Sequence, residues 1–255
     1  MKERVKEQRS GTHYSYSMYA DPQMARSFDR RRFGGPIGDL VARTQARVLA
    51  NMVGRIQDRH ILDVGTGTGR VALLLAHGAA HVTAVDASEE MLAIARRRAE
   101  AELVKVRFER GDAHALDFPD RAFDAVVSFR LLMHAPEWRR CLSEMCRVSD
   151  RLVIIDYPSA TSFALFESWA RRLASALGIR TEPYRVFTRS AIAAAFDDNG
   201  YRIRSMHRQF VLPIGFHKLV GSRRFTMWIE DILDRIGLLK PFGSPVTLVA
   251  ERCAP

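Results

Sequence analysis

A chain of 255 residues, 47% of them hydrophobic, is long enough to bury one large core, which excludes a mainly disordered protein. Thirty-nine Lys and Arg against 29 Asp and Glu give a net charge of +10, so an anionic partner, whether nucleic acid or a membrane surface, has to be weighed. Only five of the cations are Lys, a bias that suits phosphates and carboxylates or merely reflects codon usage. Cys141, Cys146 and Cys253 form no CxxC pair and, being odd in number, no closed disulfide framework, which points to a reducing compartment. The N-terminal stretch has no continuous apolar segment of the secretory type. No apolar run is long enough to span a bilayer uninterrupted, so a cytoplasmic protein, soluble or in peripheral membrane contact, is expected.

In chain order, residues 1–57 read as a helical cap. One helix opens at Asp21-Pro22 and stops at Gly34-Gly35, and a second runs from about Gly38 to Gln57. Residues 58–255 read as the core. Short β-branched runs at 60–65, 81–86, 105–112, 123–129 and 151–157 alternate with helical stretches at 69–77, 88–102 and 137–148, the pattern of a parallel sheet. Ser88 before Glu89 and Glu90 marks one helix start. Two further helices, at 162–177 and 189–198, precede strands at 201–212 and 245–252, which are expected to pair antiparallel at the sheet edge. The insertion at 213–244 carries Phe225, Trp228, Ile229, Ile232, Leu233 and Ile236 on one helical face. The expected fold is α/β: a Rossmann-like, seven-stranded, mostly parallel sheet with an antiparallel last strand, helices on both faces and a helical N-terminal cap.

The strongest motif is ILDVGTGTGRVALLLA at 61–76, a buried strand followed by Gly65, Gly67 and Gly69 and then a helix. Such glycines permit a tight turn and close approach of a ligand to backbone, and the helix N-terminus offers unpaired N–H groups. The dinucleotide fingerprint GxGxxG needs its third glycine where Arg70 stands, which argues against a nicotinamide or flavin dinucleotide. Asp86 ends the second strand, about twenty residues beyond the first glycine, where a carboxylate can accept from both ribose hydroxyls, so an adenosine-type ligand follows. Asp112 ends the third strand, placed beside Ala113 to accept from an adenine amino group. Any one of these features alone reads equally well as an ordinary tight turn or a surface acid; the ordered series is what is specific.

At these residues the sequence resembles the class I S-adenosylmethionine-dependent methyltransferases, over about 59–156. Within that superfamily the run FDAVVSFRLLMHAPEW at 123–138 is similar to the small-molecule branch that includes the quinone-biosynthesis methyltransferases. The resemblance implies S-adenosylmethionine as cofactor. Asp63, Gly65, Thr66, Gly67 and Gly69 would hold its methionine part, Asp86 and Ala87 its ribose, and Asp112 and Ala113 its adenine, with Met91 either touching the adenine or facing core. Phe129 and Arg130 would line the methyl-donor end, although small or polar residues are more usual at the position of Arg130.

Methyl transfer from a sulfonium needs orientation and exclusion of water rather than a nucleophilic side chain. His134 is the candidate general base, with shielding of the cofactor as its alternative role. Tyr157, Phe163 and Trp228 are candidates for the acceptor side, each with a plain packing role as the alternative. Tyr19 and one of Arg30, Arg31 and Arg32 would form a lid over the cofactor, or the arginines a solvated helix face. No clustered His, Cys or Asp spacing suggests a metal. The expected function is methyl transfer to a small apolar or aromatic metabolite, with a quinone or isoprenoid-like acceptor as the specific expectation; oligomeric state is not legible. The alternatives are an RNA methyltransferase using a basic face and a non-catalytic S-adenosylmethionine-binding module. Against the first, the chain reads Ser128-Phe129-Arg130-Leu131 where amino-methylating enzymes of nucleic acids carry an Asn/Asp-Pro-Pro-aromatic motif.

Overall fold

The computed structural model describes residues 22–176 and 184–253. The aromatic-rich stretch 13–19, and with it the expected lid contact of Tyr19, lies outside them. Two helices come first, α1 (Pro22–Phe33) and α2 (Gly35–Val53). The helix expected to open at Asp21-Pro22 therefore begins on cue, with Pro22 in the first turn, where its missing N–H costs nothing. The second helix starts three residues before Gly38 and ends at Val53, four residues short of the expected end.

The core alternates as β1 (His60–Val64), α3 (Arg70–His77), β2 (His81–Asp86), α4 (Glu89–Ala101), β3 (Val106–Arg110), β4 (Phe123–Ser128), α5 (Trp138–Val148) and β5 (Ser149–Tyr157). It continues through α6 (Ala164–Ala176), α7 (Arg189–Asp197) and β6 (Tyr201–Phe210). Between β6 and the last strand, β7 (Ser244–Arg252), lie α8 (Ile214–Val220), α9 (Arg223–Arg235) and α10 (Leu239–Phe242). The seven strands form one sheet in the order β3-β2-β1-β4-β5-β7-β6. The first five strands pair in parallel, and β7 runs antiparallel to both β5 and β6. The long insertion thus does not prevent the β6–β7 pairing, because the cross-strand register fixes the two strand ends and leaves the intervening chain free to fold separately.

Central strands of a parallel sheet are covered on both faces and so read as continuous apolar runs rather than alternating ones. On one face Leu62, Val126, Val153 and Ile155 pack with Leu142 and Met145 of α5 and Ile192 and Phe196 of α7. On the other, Ile61, Val127 and Ile154 meet Leu49 of α2 and Ala72 and Leu75 of α3. Side-chain caps begin the helices where the chain supplies a hydroxyl. Ser88 Oγ accepts from Met91 N at 3.1 Å, Thr188 Oγ1 from Ala191 N at 3.2 Å and Ser222 Oγ from Phe225 N at 3.3 Å. No helix among the described residues is long and apolar enough to cross a membrane.

Leu142 is fully buried between α5 and the sheet. Leu142→Ala is expected to lower unfolding free energy by about 2–5 kcal/mol, since the cavity left in a close-packed face collapses only in part. Urea denaturation checks this, and a loss below about 1 kcal/mol would be inconsistent with the packing described.

Candidate active site

β1, β2 and β3 lie side by side and in parallel, so their carboxyl ends share one edge of the sheet. The three acids singled out in the sequence converge there: Asp63 near the end of β1, Asp86 at the end of β2 and Asp112 two residues past β3. Between β1 and α3 the chain turns through Gly65, Gly67 and Gly69, with φ of +73°, +56° and +82°. All three lie in the left-handed region, where a Cβ is penalised. A Cβ at Gly69 would also come within 2.8 Å of Ala95 Cβ on α4, so this glycine permits the close helix contact that the dinucleotide fingerprint assigns to a glycine further on. A Cβ at Gly67 would meet no atom within 4 Å, so open space lies beside the turn at its middle glycine.

The acids are tied into the turn. Asp86 Oδ2 accepts from Gly67 N at 2.7 Å and its Oδ1 from Ser88 N at 2.9 Å, so one carboxylate joins the glycine turn to the start of α4. Burial pushes the Asp86 carboxyl up, and the backbone N–H groups of Ser88, Gly67 and Ala87 oppose that. Asp63 is buried and accepts from Thr66 Oγ1 at 2.6 Å. Desolvation lifts it from an ordinary 3.8 to about 7, with the charge of Asp86 adding to the rise and the Thr66 hydroxyl opposing it. Asp112 Oδ1 accepts from His114 N at 2.9 Å and lies 2.8 Å from His114 Nδ1. The loop that carries Asp112 is clasped to α5. Arg147 donates to the carbonyls of Leu116 and Phe118, both at 2.8 Å, while Glu144 Oε2 accepts from Leu116 N at 2.8 Å. Neither Arg147 nor Glu144 was marked by any sequence motif.

Past β4 the chain bends sharply at Arg130, a non-glycine residue at φ +64° whose N–H donates to Asp156 Oδ1 at 2.5 Å. Burial raises the Asp156 carboxyl to about 6, against the opposing charge and N–H of Arg130. Sequence reasoning gave Asp156 no role; its neighbours in a run of apolar strand residues carry no sign that a backbone turn 26 residues earlier needs a buried acceptor. Phe129 and His134 are buried on this loop, and Met91 is buried within α4. Ala87 is exposed, and Thr66, between the glycines, is buried. Tyr157, at the end of β5, is only 1% exposed, and its hydroxyl has no hydrogen-bond partner among the described residues. Burial raises this phenol above its ordinary value, opposed by the charges of Arg208 and Arg189. Phe163 and Trp228, by contrast, sit at the surface, 45% and 58% exposed.

The N-terminal helix reaches this edge by contacts that no motif announced. Asp29 on α1 accepts from Thr68 Oγ1 at 3.0 Å and pairs with Arg98 Nη2 of α4 at 2.6 Å, while the Arg70 guanidinium lies 3.5 Å from the Phe33 ring centroid. Arg31 and Arg32 are exposed at the end of the same helix. A cleft of about 260 Å³ opens between α2 and α3, lined by Gln45, Leu49, Arg70, Leu73 and Phe129 among others.

This site sits on a segment whose relatives are known. Residues 61–151 match the family model described as a methyltransferase domain. The demethylmenaquinone methyltransferase of Thermus thermophilus is 45% identical over 105 residues, 39% of this chain and 48% of that protein. The phosphatidylethanolamine N-methyltransferase of Cereibacter sphaeroides is 44% identical over 103 residues, 38% and 50% of the two chains. The chain thus spans about half the length of the curated relatives it matches. Among solved structures, magnesium protoporphyrin IX methyltransferase from Synechocystis with bound SAH superposes with a TM-score of 0.62 at 21% identity, covering 89% of this chain and 94% of that one. Residues 61–151 are therefore similar in sequence to methyltransferase domains, and the fold is similar to that of a solved methyltransferase with bound SAH. Over that segment the chain is similar to demethylmenaquinone methyltransferases and to a phosphatidylethanolamine N-methyltransferase alike.

Because Asp63 is protonated to higher pH in the folded than in the unfolded chain, the folded state binds the extra proton between about 4 and 7. Its contribution to stability is complete at low pH and is lost as the pH rises through about 7. Asp63→Asn is expected to flatten the decline of melting temperature over the upper part of that range, where Asp156 has already ionised. Thermal unfolding across the range checks this, and a slope equal to that of the unsubstituted chain contradicts it.

Proposed function

We propose that the chain transfers a methyl group from S-adenosylmethionine to a small apolar or aromatic acceptor of the quinone or isoprenoid kind. The observation that carries this reading is the row of acids on three adjacent strand ends facing a turn of left-handed glycines. Asp86, already oriented by two backbone N–H groups, is placed to accept from ribose hydroxyls beside Ala87. Asp112 and Ala113 suit an adenine amino group, and Met91 is buried within α4 as packing. Asp63, Gly65, Thr66, Gly67 and Gly69 suit the amino-acid end. A buried acid raised to about 7 gains from an ammonium partner, and the open space beside Gly67 leaves room for one. The bound cofactor supplies a methyl already activated by its sulfonium.

The remaining work falls to this chain's own residues. Phe129 and the bend at Arg130 wall the methyl end, and the buried His134 excludes water there and is the base for an acceptor that must lose a proton. Tyr157 orients the acceptor through a hydroxyl that has no partner among the described residues. Support for the acceptor class comes from the relatives' names, which specify a demethylmenaquinone and a phosphatidylethanolamine as substrates of those proteins.

Purified chain supplied with methyl-labelled S-adenosylmethionine, a demethylmenaquinone and cellular RNA is expected to label the lipid extract; label in the RNA, or in neither, overturns the reading. Asp86→Ala is expected to weaken cofactor binding at least about tenfold, the cost of roughly 1–3 kcal/mol for hydroxyls left unpaired. Calorimetry reads this directly, and an unchanged affinity removes Asp86 from the site. Tyr157→Phe deletes a hydroxyl that is unsatisfied in the folded chain, so it should leave the melting temperature unchanged or slightly raised while methyl transfer falls about tenfold. Equal turnover by the variant would return Tyr157 to a packing role.

A further inference from the structure

Helix α9 turns two polar side chains, Thr226 and Glu230, inward. Thr226 is buried, and its Oγ1 lies 3.1 Å from Nδ1 of His217, itself buried on α8. Glu230 binds the other side of that ring, Oε1 to Nε2 at 2.8 Å, and its carboxylate accepts from the backbone N–H of Val211 and Leu212 at 2.7 and 2.9 Å. An amphipathic helix ordinarily turns its apolar stripe to the core. Here a buried polar cluster shares the inner side of the helix with the half-buried Ile229 and Leu233, and Met227 and Trp228 face water. The same ring anchors α8, leaving Phe216 and Val220 exposed and Leu219 86% exposed. Of the stripe read from the sequence, Phe225, Ile229, Ile232 and Leu233 are half-buried while Trp228 and Ile236 are exposed, so together with Phe216, Leu219, Val220 and Met227 an apolar surface remains open to water.

That face is rimmed by cations. Arg223 and Arg224 open α9, are exposed and have no acidic partner among the described residues. Lys218 Nζ donates to the carbonyls of Arg31 and Arg32, both at 2.9 Å, which sets the exposed arginines of α1 beside α8. The exposed acids of α9, Asp231 and Asp234, lie in its other half, and Asp231 is paired with Arg235.

We infer that this α8–α9 face, with the end of α1, docks on an anionic lipid bilayer. Acyl chains accept Leu219, Val220 and Met227, Trp228 suits the interfacial level, and negative headgroups accept the arginines. The alternatives fit less well. RNA would meet the cations but gain nothing from aliphatic side chains, and a second copy would set two basic rims against each other. The inference stands apart from the methyltransferase reading, because its test involves no methyl transfer.

The test is flotation of the full chain with vesicles. The chain is expected to float with mixed phosphatidylglycerol and phosphatidylcholine vesicles, and at least about tenfold less with phosphatidylcholine alone or in high salt. Leu219→Asp with Met227→Asp, and separately Arg223→Glu with Arg224→Glu, should each abolish flotation; all four sites are exposed, and circular dichroism confirms that the variants are folded. The inference is overturned by no flotation with anionic vesicles, by either variant floating like the unsubstituted chain, or by self-association that the apolar variant abolishes. Flotation that RNA displaces and the apolar variant retains overturns it as well.

Discussion

One carboxylate gripping two backbone N–H groups organises the glycine-turn edge of the sheet. Asp86 reaches from β2 to Gly67 on one side and to Ser88 on the other, and so sets the glycine turn relative to the start of α4. Charge-assisted hydrogen bonds of this kind offset much of the cost of keeping an acid partly out of water. They are possible only because the turn can present its N–H inward, which requires left-handed backbone at Gly65, Gly67 and Gly69. Valine or alanine at any of the three would strain the backbone, and at Gly69 would also collide with Ala95. The glycines and the acid are thus one device, and neither is explained without the other.

The same device explains what could be read from sequence. Apolar strands at 60–64, 81–86 and 123–128, and the helices between them, follow from periodicity and from glycine and serine punctuation, all of which are local. The acids at strand ends were legible because a parallel sheet brings such ends together whatever the details of packing. What escaped was non-local or depended on rotation about a helix axis. Asp156 supporting the bend at Arg130, Arg147 clasping the Asp112 loop and Asp29 meeting Thr68 each join segments 26 or more residues apart. The apolar stripe of α9 is turned only partly inward, because Thr226 and Glu230 occupy part of the buried side of that helix. Phe163 and Trp228 looked like pocket walls for the same reason, since a pattern shows that side chains share a face without showing what that face meets.

The surplus of arginine divides along similar lines. Arg98, Arg147 and Arg59 pair with Asp29, Asp120 and Asp124 across gaps in the chain and act as struts between elements. Their planar, forked donors serve several acceptors at once, as Arg147 does with two carbonyls and two carboxylates. The overall charge of +10 therefore overstates the cationic surface available to a partner, to which the exposed arginines at the start of α9, without an acidic partner among the described residues, belong.

Helix α1 is tethered at two places. Near its middle Asp29 is tied to Thr68 and Arg98, and at its far end the carbonyls of Arg31 and Arg32 are bridged by the ammonium of Lys218. A gangway fastened at both shores can be raised only by casting off one mooring. The helix touches both the glycine turn, through Asp29, and the insertion, through Lys218, and is the span that joins these two distant parts of the chain.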